Sequence, residues 1–233
     1  MSDRALLILT SHAELGDTGK DTGFYWEEVA VPYWKLVDHG LEVDIASVAG
    51  GEPPADPSSL DEDDPVEAVS RFLADDTAMK ALKNSAAAET VDASAYRLVF
   101  LPGGHGTMWD LAQSEAVGSL VSRAFDDGAV VGAVCHGPAG LLGATLPGGE
   151  PLVKGRTVTG FTDSEERSAG LEEVVPYLLE TRLRELGANF VSDTDFTAHA
   201  QRDGRLVTGQ NPASSGEVAD LMIEALSDGG ARG

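Results

Sequence analysis

The chain opens on an unbroken apolar run at 5–10, Ala-Leu-Leu-Ile-Leu-Thr, with no polar position in alternation. Such a run predicts a strand covered on both faces. Apolar positions at 24–39 recur at helical spacing and stop at Gly40, while Pro32 interrupts them and predicts a late start or a kink. Residues 42–48 read as a second strand, which makes a β-α-β unit with parallel pairing and a right-handed crossover. Further strands are expected at 96–101, 129–134, 157–159 and 205–208. Helices are expected at about 114–127, 138–143, 176–186 and 214–226.

Residues 49–95 break this rhythm. Gly50-Gly51, Pro53-Pro54, Pro57 and the acidic run Asp61-Glu62-Asp63-Asp64 make a long irregular stretch, followed by short helical patterns at about 65–74 and 76–84. Connections of this length are functional or disordered. The segment at about 50–92 therefore reads as an insertion, a rim or cap of a single domain spanning 1–233. The alternation of elements predicts an α/β fold: a doubly wound, mostly parallel sheet sandwiched by helices. In such sheets, ligands bind beyond the carboxyl ends of the strands.

Three expected strand ends carry unusual residues. After 96–101 stands Gly103-Gly104-His105-Gly106, whose backbone amides are unobstructed by side chains and suit an oxyanion. After 129–134 stands Cys135-His136-Gly137-Pro138. Small or flexible residues at both second-neighbour positions of Cys135 fit a nucleophile elbow, with the thiol near the N-terminus of the next helix, where the thiolate is favoured. Taken alone, the pattern fits a core cysteine at a strand end equally well. His136 reads as a general base or acid, or as a surface loop histidine. After 157–159 stands Gly160-Phe161-Thr162-Asp163, with Glu165 and Glu166 close behind.

Four segments in order resemble the ThiJ/PfpI superfamily, the class I glutamine amidotransferase-like (flavodoxin-like) fold. They are Leu101-Pro102-Gly103-Gly104-His105-Gly106, Ala133-Val134-Cys135-His136-Gly137-Pro138, Thr159-Gly160-Phe161-Thr162-Asp163 and Val207-Thr208-Gly209-Gln210-Asn211-Pro212-Ala213-Ser214-Ser215. With Thr22-Gly23, Glu28 and Pro32 near the front, the resemblance spans nearly the whole chain and is greatest to the chaperone-like glutathione-independent glyoxalases (glyoxalase III). It implies Cys135 as nucleophile and His136 as its partner. It also implies a buried glutamate at Glu28, with Glu27 one residue off, although both otherwise read as exposed helix charges. Glu166 follows as the acid that orients His136, with Asp163 as runner-up. Gly104, His105 and Gly106 are placed at the oxyanion and substrate site, with Trp26 and Trp109 as pocket walls.

The implied reaction converts methylglyoxal to D-lactate, with a small 2-oxoaldehyde as substrate and a homodimer as the assembly. No cofactor is implied, and no metal-ligand spacing is visible. A Cys-dependent hydrolase or deglycase, a holding chaperone and a cysteine redox sensor are the alternatives.

Composition narrows the setting. A single cysteine excludes an intramolecular disulfide. No apolar run reaches the roughly 18 residues of a membrane span, and the N-terminus does not read as a secretory signal, so a cytoplasmic protein is expected. The net charge is −23, from 39 acidic and 16 basic residues, which makes nucleic acid and anionic membranes poor partners. Such a surface fits an ordinary solvated acidic enzyme and also adaptation to high salt. The high-salt reading predicts that molar KCl raises the thermal midpoint by screening self-repulsion. Full folding and activity in salt-free buffer would count against it.

Overall fold

The computed structural model describes residues 3–60 and 66–230; the acidic run 61–64 lies outside them. Nine strands and eight α-helices are formed among the described residues. The strands are β1 (Arg4–Leu9), β2 (Glu42–Ser47), β3 (Ala86–Ala87), β4 (Leu98–Leu101), β5 (Val130–Val134), β6 (Thr157–Val158), β7 (Asn189–Phe190), β8 (Ala200–Asp203) and β9 (Leu206–Gly209). The helices are α1 (Trp26–Asp38), α2 (Glu67–Ala74), α3 (Asp76–Lys83), α4 (Thr107–Asp110), α5 (Glu115–Asp126), α6 (Asp163–Ala169), α7 (Leu179–Glu185) and α8 (Ser215–Gly230).

Seven strands form one sheet in the order β3-β2-β1-β4-β5-β9-β8, parallel throughout except for the β8–β9 pair. The apolar runs follow from this position. In β1, Leu6 and Ile8 enter the core on one face, against α5, while Ala5, Leu7 and Leu9 enter the other, against α1 and α8. In β5, Val131 and Ala133 face the first core, and Val130 and Val134 the second. With both faces covered, no polar alternation survives.

The structure corrects the sequence reading at several places. The strand at 157–159 does not join the main sheet: β6 pairs with β7 in a separate two-stranded sheet. The antiparallel edge strand β8 was not expected, because Ala-Gln-Arg-Asp is half-buried and carries no apolar signal. Strand β3 is two residues long and too short to read. Helix α1 begins at Trp26, two residues later than the pattern suggested, and runs on through Pro32. The helix expected at 138–143 is a five-residue 3₁₀ turn, Gly137–Leu141, whose two glycines and proline favour no longer helix.

The insertion is packed onto the sheet rather than standing apart. β3 extends the sheet edge, and Phe72 of α2 sits against Trp26, Tyr33 and Trp34 of α1 at ring-centroid distances of 5.8, 4.8 and 6.3 Å. Arg71 lies 3.7 Å over Trp34 and forks onto Asp38 at 2.7 and 2.8 Å. Among the described residues, no helix is long and apolar enough to cross a membrane.

Truncating the Phe72 ring leaves a cavity among three aromatic rings. Phe72→Ala is expected to lower stability by about 3–5 kcal/mol in chemical denaturation. A change close to zero would mean that the insertion is not part of the cooperative core.

Candidate active site

Cys135 follows β5 without an intervening residue and adopts φ +58°, one of two positive values outside glycine among the described residues. For a residue with a Cβ this is a sparsely populated conformation. Two backbone hydrogen bonds hold it: Cys135 N–H donates to Gly209 O at 2.9 Å, and Phe161 N–H donates to Cys135 O at 2.8 Å. Gly137 permits the turn, because a Cβ there would lie 2.0 Å from Leu101 O. The elbow therefore needs β4, β9 and the loop after β6 at once.

His136 lies between the thiol and an acid. Its Nδ1 is 3.3 Å from Cys135 Sγ, and its Nε2 is 2.7 Å from Glu166 Oε2. With Nε2–H donating to the carboxylate, the Nδ1 lone pair is left to face the thiol. Phe161 covers the imidazole with ring centroids 4.3 Å apart. The other oxygen of Glu166 takes His105 Nε2 at 2.8 Å, so one carboxylate bridges two imidazoles. Burial raises the Glu166 pKa, but the adjacent His136 and the hydrogen bonds from both imidazoles outweigh it and hold the carboxyl well below its usual range. His136 is pushed down, first by burial and then by His105.

Glu28 projects from the first turn of α1 and is fully buried. Its Oε2 accepts the Gly103 N–H at 2.7 Å, while Oε1 has no hydrogen-bond partner. Burial pushes its pKa up to about 8, against the lowering influence of Cys135 and the Gly103 amide. The Cys135 thiol is pushed up too, by burial first and by Glu28 second, with the His136 backbone amide acting the other way. This corrects the expectation of a thiolate favoured by a helix N-terminus: the turn that follows is a single 3₁₀ segment, and desolvation dominates.

The structure brings Cys135, His136, Glu28, Glu166, His105 and the Gly103-Gly104 loop together. Gly104 has φ +100°, and a Cβ there would lie 2.2 Å from Gly23 O. Its N–H has no acceptor among the described residues, whereas the Gly106 N–H is committed to Gly23 O at 3.3 Å. Gly106 is thus not an oxyanion donor. Asp163 is turned away, accepting from Thr181 Oγ1 at 2.6 Å. Trp26 does not wall the thiol; it is buried against Phe24 and Phe72. Trp109 stacks on His12 at 5.0 Å on the rim beyond β1. Glu27 is half-buried and lines a cleft of about 260 Å³ with Phe196, Asn211, Pro212 and Ala213.

Other features escaped the sequence reading. Thr107 Oγ1 donates to Gly104 O and His136 O at 2.9 and 3.1 Å, joining the two site loops. His105, His136 and Glu166 also place three ligand atoms within 4.8 Å of one another, a set that suits a divalent transition ion. No linear spacing reveals it, since the three come from three separate segments, the last of them helix α6.

Glu28 makes folding pH-dependent. In the unfolded chain it ionises near 4.5, and in the folded chain near 8, so the stability it contributes is full below 4.5 and is lost as pH rises toward 8. Glu166 acts in the opposite sense, and its contribution is lost as pH falls. Glu28→Gln is expected to remove the decline across the upper window. Parallel pH dependences of the denaturation midpoint for wild type and variant would show that Glu28 is not held protonated.

Comparison with known proteins gives the family and the fold. The chain matches the model of the DJ-1/PfpI family over residues 21–225. It is 31% identical over 236 residues to a glutathione-independent glyoxalase of Saccharomyces cerevisiae, covering 97% of this chain and 98% of the relative. It is 32% identical over 233 residues to Glyoxalase 3 of Candida albicans, covering 96% and 98%. The fold superposes on the crystal structure of Rapid Encystment Protein 24 kDa of Francisella tularensis with a TM-score of 0.92 and 34% identity, covering 96% of this chain and 99% of that one. Glyoxalase III of Candida albicans follows with a TM-score of 0.87 and 31% identity, covering 96% and 97%. The family match runs from before Glu28 to beyond Asn211 and takes in every residue around the thiol: the chain belongs to the DJ-1/PfpI family.

Proposed function

We propose that this protein is a glutathione-independent glyoxalase that converts methylglyoxal to D-lactate on Cys135. The observation that carries the reading is the strained thiol 3.3 Å from His136 Nδ1, next to the fully buried carboxyl of Glu28, whose pKa burial pushes up to about 8. His136, held by Glu166, accepts the thiol proton as sulfur adds to the aldehyde carbon. The Gly104 amide faces the alkoxide of the resulting hemithioacetal. A base then removes the proton from that carbon, giving an enediol, and an acid returns a proton to the neighbouring carbon. Glu28 and His136 fill these two roles. The product of the shift is a thioester, and attack by water releases lactate and restores the thiol. The net change is addition of one water to methylglyoxal, with no external oxidant or reductant.

The relatives named as glutathione-independent glyoxalases support the same reading, and so does Glu166, which keeps His136 in the tautomer the first step needs. A small aldehyde substrate and work in the cytoplasm as a homodimer belong to this proposal.

Product analysis separates it from a hydrolase, a deglycase or a chaperone. With methylglyoxal and no glutathione, wild type should release D-lactate and Cys135→Ala should release none. Glu28→Gln should lose about 10²–10⁴-fold in kcat through loss of acid–base catalysis. D-lactate release that survives in Cys135→Ala would overturn the proposal.

A further inference from the structure

Glu165 has no part in the relay described above, yet it is completely buried and is a meeting point of separate segments. Its Oε2 takes Thr162 N–H and Oγ1 at 2.9 and 3.0 Å, closing the capping box of α6. Its Oε1 takes three further donors: Phe196 N–H at 2.8 Å, Asn211 Nδ2 at 2.9 Å and Gln210 Nε2 at 3.1 Å. One carboxyl therefore ties the start of α6 to the Gln210-Asn211 segment after β9 and to the loop that carries Phe196.

Phe196 is the second non-glycine residue with positive φ, +57°. A bulky side chain is disfavoured there. Burial of the ring does not explain the conformation, because Phe196 remains 54% exposed. The chain instead holds an aromatic ring open to solvent, by a backbone bond to a buried acid. The ring stands 6.2 Å from Phe161, which in turn lies on His136, and it lines the cleft with Glu27, Asn211, Pro212 and Ala213. Through Phe161 the ring is thus one aromatic neighbour removed from the catalytic imidazole. None of the cleft's lining residues is basic, which leaves nothing there to pair with a carboxylate or phosphate on a substrate.

We infer that Phe196 is a specificity-determining residue. It forms the outer aromatic wall of the approach to Cys135 and selects uncharged 2-oxoaldehydes with an apolar, above all aromatic, tail. Glu165 is the positioning residue that holds it there. The inference rests on the glyoxalase reading, since a 2-oxoaldehyde must add to Cys135 for its tail to reach the cleft. A methyl group is too short to cover the Phe196 ring, whereas a phenyl group stacks against it.

Steady-state kinetics with phenylglyoxal and methylglyoxal test this on wild type, Phe196→Leu, Phe196→Ala and Glu165→Gln. Phe196→Leu keeps apolar bulk and removes only the ring, so it guards against a fold defect in the alanine variant. Both Phe196 variants should lose about three- to tenfold in kcat/KM for phenylglyoxal, the range expected for one aromatic contact, mainly through KM. Methylglyoxal kinetics should be little changed. Glu165→Gln should shift the substrate ratio in the same direction, which a purely structural role would not do. An unchanged ratio in Phe196→Leu, with wild type active on both aldehydes, would overturn this inference alone. A wild type inactive on both would sink the glyoxalase reading and this inference with it.

Discussion

A buried thiol and a buried carboxyl in contact cannot both be anionic, and the site is organised around that constraint. Burial raises both Cys135 and Glu28, and Glu28 raises the thiol further, while the thiol acts on Glu28 in the lowering sense without offsetting its burial. The pair holds at least one proton at neutral pH. The remaining charge is handled on the far side of His136, where Glu166 is surrounded by two imidazoles and stays ionised. One carboxyl is thus kept neutral and another charged within the same loop cluster. The difference lies in their neighbours: a thiol and a single amide for Glu28, two ring N–H donors for Glu166.

The fold supplies this arrangement by convergence. Glu28 comes from the first turn of α1, the Gly103-Gly104 amides from the end of β4, Cys135 from the end of β5 and Glu166 from α6. All but the last sit at the carboxyl edge of the main sheet. The segment after β6 reaches the same place through the bond from Phe161 N–H to Cys135 O. The many surface acids take no part in this chemistry.

Much of this was legible in the sequence, for identifiable reasons. Runs such as Leu6-Leu7-Ile8-Leu9 and Val130-Val131 show strands because helices cover both sides of the sheet. The elbow shows because a sharp turn needs small neighbours, and Gly137 is obliged by Leu101 O. Other features are invisible in principle. Glu27 and Glu28 differ by about 100° around a helix, and so do Glu165 and Glu166, so adjacency cannot say which member faces the thiol or the imidazole. Asp163 and Glu166 stand three positions apart on neighbouring sides of the first turn of α6, so spacing does not decide between them either. Trp26 turns away from the thiol because its partner Phe72 lies in the insertion, 46 positions along the chain. Strand β8 hid because its residues are polar and half-buried.

The hydrogen bond from Cys135 N–H to Gly209 O spans 74 residues, the difference of the two positions, and the bond from Gly103 N–H to Glu28 spans 75. Both are long-range closures, and the loop entropy they cost is recovered only when most of the chain has collapsed. During synthesis, β5 leaves the ribosome well before β9. Until β9 docks, the left-handed turn at Cys135 lacks one of its two clamps, and the lone thiol is an ordinary flexible side chain. The strained conformation is in this sense a record of completed folding, written into the backbone at the residue where chemistry begins.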